Sequence, residues 1–583
     1  MSRVETPVAV TPLAGVAGAI APFFLFWLAG LFILVADSAD GVWTIADIDD
    51  KMRALQIADL WADGAWFDRA IPVIAMPEPY ISPWSRLVDL PYVAVAWLAA
   101  LAGAGSPLDF AFFVVPPLLL GAFAWFQTAL ASAVLGRPLR PIEAFETGLI
   151  AFAAVLEFSP TRIDHHNIQL VAMAAMAWGL IAPVRAAPFV AGVAAVLSVA
   201  VGLETLPFIA VGFGVLTLLA AIEGGDAARH LAAAGLALAV AALPAMVAFN
   251  GPSGLFATAC DAFAAPLFIL LTLGGMTLGA FGRFWRAPPL SPMRRLLALA
   301  LVVSLVAAAV LLLFPGCLSG PYAMIDSVSR RFWLERVAQE ISLFAFAREG
   351  SLLAPIVLLA AAGLVVAGAG NGLARLHRGD FGAAILLALA LASLVLMAAQ
   401  MRYIRFPFGF VAPLLPLALD RTGPHGFSAL RGLTVARLAV LALASTPLAA
   451  AFAMPSPSKA IDGIDLMGAD ACADADLSLL ARLEPGRIIA PLGLAMTLAG
   501  NRHGHTIAAL PYHRAAPGIR RVGLAFAGAT DAERREVSRR SPMSRSAHCR
   551  PRSKRRARRS MTRWRTGEAG PVSIPSPRRG RTA

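Results

Sequence analysis

Residues 161–167 read TRIDHHN and separate two apolar stretches, residues 142–158 and 168–184. Each stretch approaches the roughly 18 to 20 residues with which a helix crosses a membrane. The segment between them carries one carboxylate and two imidazoles, which belong to Asp164, His165 and His166. Such groups can ligate a metal ion or transfer a proton, and the packing of apolar helices does not require them. A polar helix cap is the alternative interpretation.

The composition around this motif excludes a soluble globular protein. Of the 583 residues, 58% are apolar and 15% are charged, and the mean hydropathy is +0.71. Ordinary soluble domains contain about half apolar and about a quarter charged residues. The high apolar fraction therefore predicts a membrane protein.

The net charge of +13 belongs to one end of the chain. Residues 537–583 contain 15 basic residues and one acidic residue, whereas the other 536 residues contain 34 basic and 35 acidic residues. This tail is rich in Ser, Arg and Pro and poor in apolar residues, which predicts disorder. The apolar pattern stops near Glu536, as expected for a shifted or truncated reading frame or for a natural disordered tail. The charge therefore predicts no nucleic-acid partner.

Thirteen apolar stretches can be interpreted as membrane spans. They cover residues 13–36, 109–135, 142–158, 168–184, 187–201, 204–222, 231–248, 262–282, 296–314, 352–369, 382–399, 405–420 and 433–453. Basic residues in short loops mark the cytoplasmic side of a membrane. If the N-terminus is inside, the loops after the even-numbered spans should be basic, and they contain Arg137, Arg140, Arg185, Arg229, Arg283, Arg286, Arg294, Arg295, Arg375, Arg378, Arg421 and Arg431.

This pattern predicts an all-α polytopic protein of the cytoplasmic (inner) membrane, with its C-terminus outside. Residues 88–104 are also apolar, but a span there would place nearly all the arginines outside, so we interpret them as an interfacial helix. The predicted organisation is a transmembrane domain over residues 1–453, with outer loops at 37–108 and 315–351, an outer α/β region at 454–536 and the basic tail at 537–583.

The first outer loop begins with a cluster of acidic residues. Asp47, Asp49 and Asp50 lie within four residues, and Arg53 follows them. Closely spaced carboxylates can hold a hard divalent cation, which in turn can bind phosphate oxygens. An acidic first turn of the helix over residues 51–60 is the simpler alternative, because aspartate favours helix N-termini.

Further polar residues fall on the same predicted outer face, where ionisable groups are functional candidates. They are Glu78, Trp84, Ser85, Arg86, Asp89, Glu204, Asp261, Tyr322, Asp326, Arg402 and Arg405. Glu204 and Asp261 can equally cap helices. Arg402 can bind a phosphate or anchor a helix at the lipid headgroups.

The four cysteines show no metal-ligand spacing, which argues against a zinc site. Cys317 and Cys472 both lie outside in the predicted topology, so a disulfide between them is possible.

The layout resembles the GT-C superfamily of polyprenyl-linked glycosyltransferases, and most closely the catalytic subunits of oligosaccharyltransferases. The spacing of Asp47 and Arg53 is similar to the acidic motif of that family's first loop. Asp164, His165 and His166 resemble the Asp-His-His of its archaeal members. The resemblance implies inverting transfer of a sugar or glycan from a polyprenyl-phosphate donor at the outer face of the membrane.

The same resemblance implies roles for individual residues. A divalent metal, Mg or Mn, would be held by Asp47, Asp164 and one of His165 and His166, and Asp47 would also contact the acceptor. Asp49 or Asp50 would take that role if the register differs. Arg402 would bind the donor phosphate, and the remaining outer residues, including Arg53, Arg86 and Tyr322, would contact sugar or acceptor.

One departure from the family concerns the acceptor. The chain contains no Trp-Trp-Asp sequence, with which oligosaccharyltransferases read their Asn-X-Ser/Thr acceptor. A lipid, polysaccharide or other acceptor therefore fits better than protein N-glycosylation. A transporter or lipid-linked sugar flippase is the competing hypothesis, but it predicts ionisable residues near span midpoints and a repeat, and neither is evident.

The topology predicts opposite locations for two reporter fusions. Gly105 and Arg140 flank the single span at 109–135, so alkaline phosphatase fused after Gly105 should be active outside and a fusion after Arg140 should be inactive. The reverse pattern would show that residues 88–104 cross the membrane.

Overall fold

The computed structural model describes residues 12–38, 48–76, 78–285, 291–348, 352–377, 379–420, 477–478, 480–500, 504–527 and 544–546. Predicted positions outside these ranges include Asp47, Cys472 and the thirteenth span. The described residues fall into two compact units. The first unit contains those within 1–53, 83–323 and 337–457, and the second contains those within 54–82, 324–336 and 458–583.

The chain is predominantly helical. The helices are α1 Pro12–Asp37, α2 Ile48–Asp63, α3 Arg86–Leu101, α4 Pro107–Leu135, α5 Pro141–Ile150, α6 Phe152–Val155, α7 His166–Ile181, α8 Ala187–Val201, α9 Leu206–Glu223, α10 Gly225–Phe249, α11 Ala265–Phe284, α12 Pro292–Leu313, α13 Ser327–Phe332, α14 Leu343–Arg348, α15 Leu353–His377, α16 Gly382–Ala399, α17 Pro407–Val411, α18 Leu414–Ala418, α19 Leu492–Gly500 and α20 Ala516–Ala527.

Among the described residues, eight helices are long and apolar enough to cross a membrane. Seven of them correspond to α1, α4, α10, α11, α12, α15 and α16, and the eighth is α9 extended back to Leu203. The polytopic prediction is therefore confirmed, whereas the count of thirteen spans stays a prediction. The predicted interfacial segment forms α3, which has 16 residues and is not among the eight.

Two predicted spans are interrupted helices. Residues 142–158 correspond to α5, α6 and a 3₁₀ turn at Leu156–Phe158. Residues 405–420 contain the end of a 3₁₀ turn at Met401–Arg405, followed by α17 and α18. Pro413 lies between these two short helices. The helix breaks there because proline has no backbone N–H to continue the helical hydrogen bonds.

Close packing in the first unit depends on small residues. A Cβ atom at Gly235 of α10 would lie 2.6 Å from the backbone nitrogen of Gly279 and 2.8 Å from the carbonyl oxygen of Gly275, both on α11. Small residues let two apolar helices approach closely, which compensates for the absence of a hydrophobic driving force within lipid.

The second unit contains a small sheet. Its strands are β1 Ala70–Ala75, β2 Pro79–Ile81, β3 Arg487–Ile489, β4 Thr506–Ile507 and β5 Ser544–Ser546. Their order is β2-β1-β4-β3-β5. β1 and β2 are antiparallel, and the other three pairings are parallel. The predicted α/β region therefore exists, and it includes two strands from the first loop.

One strand of the second unit lies in the predicted basic tail, whose disorder as a whole stays a prediction. β5 lies within residues 537–583, for which the sequence predicts disorder, and its three residues pair with β3. Backbone hydrogen bonds at a sheet edge do not require apolar side chains, so composition alone does not reveal such a strand.

The disulfide prediction is wrong in its partner. Cys317 is bonded to Cys260, with Cα atoms 5.3 Å apart, and not to Cys472. Cys260 precedes α11 and Cys317 follows α12, so a hairpin of two helices brings both to the same end. Sequence separation does not fix such distances.

Cys260 and Cys317 should resist a thiol-reactive polyethylene glycol reagent until a reductant is added, because both sulfurs are in the disulfide. Gel shifts of the unfolded protein before and after reduction measure this protection. Cys317→Ser should expose Cys260 without reduction. Labelling of both cysteines in the unreduced wild-type chain would contradict the assignment.

Candidate metal centre

The turn before α7 places Asp164, His165 and His166 together in the first unit. Thr161, at the start of this turn, has a positive φ of 69°, which is uncommon for a β-branched residue. Its backbone nitrogen donates to the carbonyl oxygen of Phe112 over 2.9 Å, so α4 supports the turn. Backbone strain of this kind is characteristic of functional sites.

The three side chains form a compact ligand set. Each offers one ligand atom, and these atoms lie within 4.8 Å of one another. His165 Nδ1 lies 2.5 Å from Asp164 Oδ1, and His166 Nε2 lies 3.3 Å from Asp164 Oδ2. All three residues are buried. Carboxylate and imidazole ligands suit several divalent transition metals.

One atom of this set provides a test of whether a metal fits. Asp164 Oδ2 is buried and forms no hydrogen bond within the described part of the chain. Buried polar atoms normally have a hydrogen-bond partner, and one without a partner requires an explanation such as a bound ion. The donor set therefore fits a metal ion held by Asp164, His165 and His166.

Asp50 is the residue of the acidic cluster that reaches this centre. It lies in the first turn of α2, its Oδ1 atom accepts from the Asp164 backbone nitrogen over 2.9 Å, and its Oδ2 accepts from Arg162 Nη1 over 3.0 Å. Asp50 therefore lies in the first helical turn, as the helix-terminus interpretation predicts, and it also contacts the turn that contains Asp164, whereas its functional role stays a prediction. Asp47 lies outside the described residues.

The charges of the centre compensate for burial. Burial raises the pKa of Asp164, but His165, Arg162 and Arg405 outweigh it and hold that pKa well below its usual range. Burial lowers the pKa of His165, but the carboxylates of Asp164 and Glu204 outweigh it and raise the pKa to about 10. An imidazolium therefore balances the carboxylate when no metal does, and ligation requires its deprotonation.

A second polar group surrounds Arg402, whose side chain is 20% exposed. Its Nη2 atom donates to the Tyr322 hydroxyl over 3.1 Å and also contacts Glu340. Its Nη1 lies 3.6 Å from Glu204 Oε1. Tyr322 and Arg402, predicted separately, are thus in direct contact.

Arg53 and Arg86 form a third group of polar contacts, around Asp89. Both guanidinium groups contact Asp89, at 3.3 and 2.8 Å, and all three side chains are buried. Arg53 also lies 4.2 Å from the ring centroid of Trp84, which lies 5.7 Å from the His165 ring. Trp84 therefore lies between the Arg53 guanidinium and the His165 ring, and Arg86 joins the same group through Asp89.

The other predicted polar residues have distinct positions. Glu204 contacts His165 and Arg402, whereas Asp326 caps α13 by accepting from the backbone nitrogens of Val328 and Ser329. Ser85 donates to the carbonyl oxygen of Ala200.

Sequence reasoning missed three residues of the network, which are Glu157, Gln169 and Glu340. Glu157 accepts from Arg162 and lies 3.5 Å from Arg405 Nη1. Gln169 follows His166 by one helical turn, a spacing that could have identified it. Glu340 lies in a long loop and carries no comparable signal.

No protein-family profile and no curated protein matches the sequence. The fold of this chain is nevertheless similar to that of solved oligosaccharyltransferase structures. The apo Archaeoglobus fulgidus oligosaccharyltransferase is similar with a TM-score of 0.62 at 14% identity, over 90% of this chain and 68% of that one.

Two further structures give the same result. Archaeal oligosaccharyltransferase AglB from Archaeoglobus fulgidus, in complex with an inhibitory peptide and a dolichol-phosphate, has a TM-score of 0.62 at 13% identity over 90% and 68% of the two chains. The Archaeoglobus fulgidus enzyme with Zn and sulfate has a TM-score of 0.55 at 14% identity, over 84% and 62%. The predicted fold resemblance is confirmed.

Removal of one ligand should weaken metal binding. Asp164→Ala should raise the Kd for Mn²⁺ at least about 100-fold in detergent-purified protein stripped with EDTA, because it removes the charged ligand. Free Mn²⁺ measured by electron paramagnetic resonance gives the Kd. Asp226→Ala, an exposed acid at the start of α10, is the control. Equal Kd values for Asp164→Ala and the wild type would refute this ligand assignment.

Proposed function

We propose that this protein is a membrane glycosyltransferase. It transfers a sugar or glycan from a polyprenyl-phosphate-linked donor to an acceptor at the outer face of the cytoplasmic membrane, with metal assistance and inversion at the transferred carbon. The N-terminus lies inside and the C-terminus outside. The observation that carries the proposal is the convergence of Asp50, Asp164, His165 and His166 within a GT-C fold.

Such a transfer requires positive charge near the leaving phosphate and a base near the acceptor, and the centre has groups for both. Asp164, His165 and His166 would hold a divalent metal, Mg or Mn, which would supply positive charge to neutralise the leaving phosphate. Asp50, or Asp47 in its place, orients the acceptor and accepts its proton. Arg162 holds the Asp50 carboxylate through Oδ2, and the Asp164 backbone holds it through Oδ1.

Two arginines supply the donor-phosphate contact. Arg402 Nε and two nitrogens of Arg405, Nε and Nη1, are buried and form no hydrogen bond among the described residues. Guanidinium N–H groups bind phosphate oxygens strongly and with defined geometry. Tyr322 and Glu340 fix the orientation of Arg402, and Glu157 lies beside Arg405.

The proposed acceptor differs from the peptide acceptor of oligosaccharyltransferases. One solved structure of AglB is a complex with an inhibitory peptide. The present sequence has no Trp-Trp-Asp motif, and we therefore propose an acceptor other than an Asn-X-Ser/Thr peptide. Arg53, Arg86 and Trp84, of which Trp84 lies 5.7 Å from the His165 ring, would contact the sugar or the acceptor.

Loss of the catalytic carboxylates should cause the lipid-linked donor to accumulate. In cells that lack the chromosomal gene, the wild-type chain should lower the level of polyprenyl-linked glycan, and Asp164→Ala should fail to lower it despite normal abundance. Mass spectrometry of lipid extracts measures the donor, and immunoblotting measures the protein.

Asp47→Ala and Asp50→Ala, compared in the same assay, identify the carboxylate that serves the acceptor. The expected loss is at least about 100-fold in the essential variant. Asp226→Ala should behave as wild type. Full donor consumption by all three site variants would refute the proposed function.

A further inference from the structure

Two residues lie behind the imidazoles of the candidate metal centre. Gln169 Oε1 lies 2.9 Å from His166 Nδ1, and Gln169 Nε2 donates to Glu204 Oε2 over 2.9 Å. Glu204 Oε1 in turn lies 3.5 Å from His165 Nε2. The four side chains therefore form a continuous series through the ring nitrogens that do not face Asp164.

Hydrogen-bond chemistry fixes the direction of the contact between Gln169 and His166. A carboxylate only accepts, so Gln169 must turn its NH₂ group towards Glu204 and its carbonyl towards His166. A carbonyl also only accepts, so His166 must carry a proton on Nδ1. The lone pair of neutral His166 then lies on Nε2, which is 3.3 Å from Asp164 Oδ2.

The same argument applies to His165. Its Nδ1 faces Asp164 and its Nε2 faces the Glu204 carboxylate, so Nδ1 can become a ligand only in the neutral form that keeps its proton on Nε2, next to Glu204. Nδ1 lies 2.5 Å from Asp164 Oδ1. In this form both lone pairs therefore face the carboxylate of Asp164.

We propose that Gln169 and Glu204 are positioning residues for the metal ion, which His165 ligates through Nδ1 and His166 through Nε2. The inference rests on the metal site of the proposed function. Metal-bound histidines commonly donate their second N–H to a fixed acceptor, and loss of that acceptor costs about 10 to 100-fold in metal affinity.

The surroundings keep this pair in place. Glu204 Oε1 also lies 3.6 Å from Arg402 Nη1, which restrains the carboxylate from a second direction. The backbone at Gly202 lies directly against the pair, because a Cβ atom there would lie 2.6 Å from Glu204 Oε2 and 2.8 Å from Gln169 Nε2.

Exchange of the amide and the carboxylate tests the proposal. In Glu204→Gln, the new amide turns its carbonyl to one neighbour and its NH₂ group to the other. With the NH₂ group towards His165 Nε2 and Arg402, His165 loses its acceptor. With the NH₂ group towards Gln169, Gln169 must rotate its carbonyl to the new amide. Rotation presents an NH₂ group to His166 Nδ1, so the proton moves to Nε2 and that ligand is lost. The double variant Glu204→Gln/Gln169→Glu restores every donor and acceptor, since the carboxylate introduced at position 169 would accept from both His166 and the amide at position 204.

The measurement is the Kd for Mn²⁺ of the full-length protein in detergent, with ¹⁴N couplings to Mn²⁺ from pulsed paramagnetic resonance. We expect a Kd about 10 to 100-fold higher for Glu204→Gln, with one imidazole coupling lost, and a return to within about threefold of wild type in the double variant. Glu223→Gln, at the exposed far end of α9, is the matched control and should leave both unchanged.

Gly202→Ala is a second variant that changes no titratable group. Its added methyl displaces the ends of Glu204 and Gln169 and should also weaken Mn²⁺ binding. Wild-type affinity in both Glu204→Gln and Gly202→Ala, or a double variant no better than the single one, would overturn the inference.

The experiments distinguish a failure of this inference from a failure of the proposed function. A wild-type chain that binds no Mn²⁺ overturns both. Donor consumption that persists in Asp164→Ala, together with rescue of Mn²⁺ binding in the double variant, overturns the proposed glycosyltransferase and supports the positioning role.

Discussion

The buried negative charge of Asp164 is the constraint on which the centre depends. An uncompensated buried charge costs about 3 to 5 kcal/mol, so a carboxylate that is 2% exposed must be surrounded by compensating groups. Arg162, His165 and His166 come from the same turn, and Arg405 comes from a segment more than 200 residues later. The need to balance one carboxylate therefore brings distant parts of the first unit together.

The acidic side chains of the centre are separated from one another by hydrogen-bond donors. Asp50 accepts from the backbone of Asp164 rather than contacting its carboxylate, so the two negative charges are held apart by an intervening N–H. Arg162 then lies between Asp50 and Glu157 and offsets both. This arrangement permits several acids to share one buried region, which is the condition for holding a divalent cation there.

The sequence alone predicted the architecture and part of the site. Apolar length and the sidedness of arginines predicted the polytopic class, and the Asp-His-His spacing predicted the compact ligand set, since adjacent residues in a turn must remain close. Asp50, Tyr322 and Arg402 were also identified, because charged or polar groups at a membrane boundary are conspicuous. Interrupted helices such as α17 and α18 were not predicted, as hydropathy is insensitive to a break in hydrogen bonding.

Contacts across long sequence separations could not be predicted. The Cys260–Cys317 disulfide depends on a hairpin of two helices, and hydropathy does not specify which ends of which helices meet. Glu340 reaches Arg402 from a long loop, and nothing in its neighbours distinguishes it from an ordinary surface acid. The strand at Ser544–Ser546 arises from backbone pairing that composition does not encode.

The small sheet has a consequence for the order in which the protein is made. β1 is synthesised more than 400 residues before its parallel neighbour β4, with Ile74 opposite Ile507. At translation rates of about 5 to 20 residues per second, the free edge of β1 stays without this partner for roughly 20 to 90 s. Throughout that interval the first loop must avoid pairing with other nascent strands, so this part of the sheet is completed only after β4 has been synthesised.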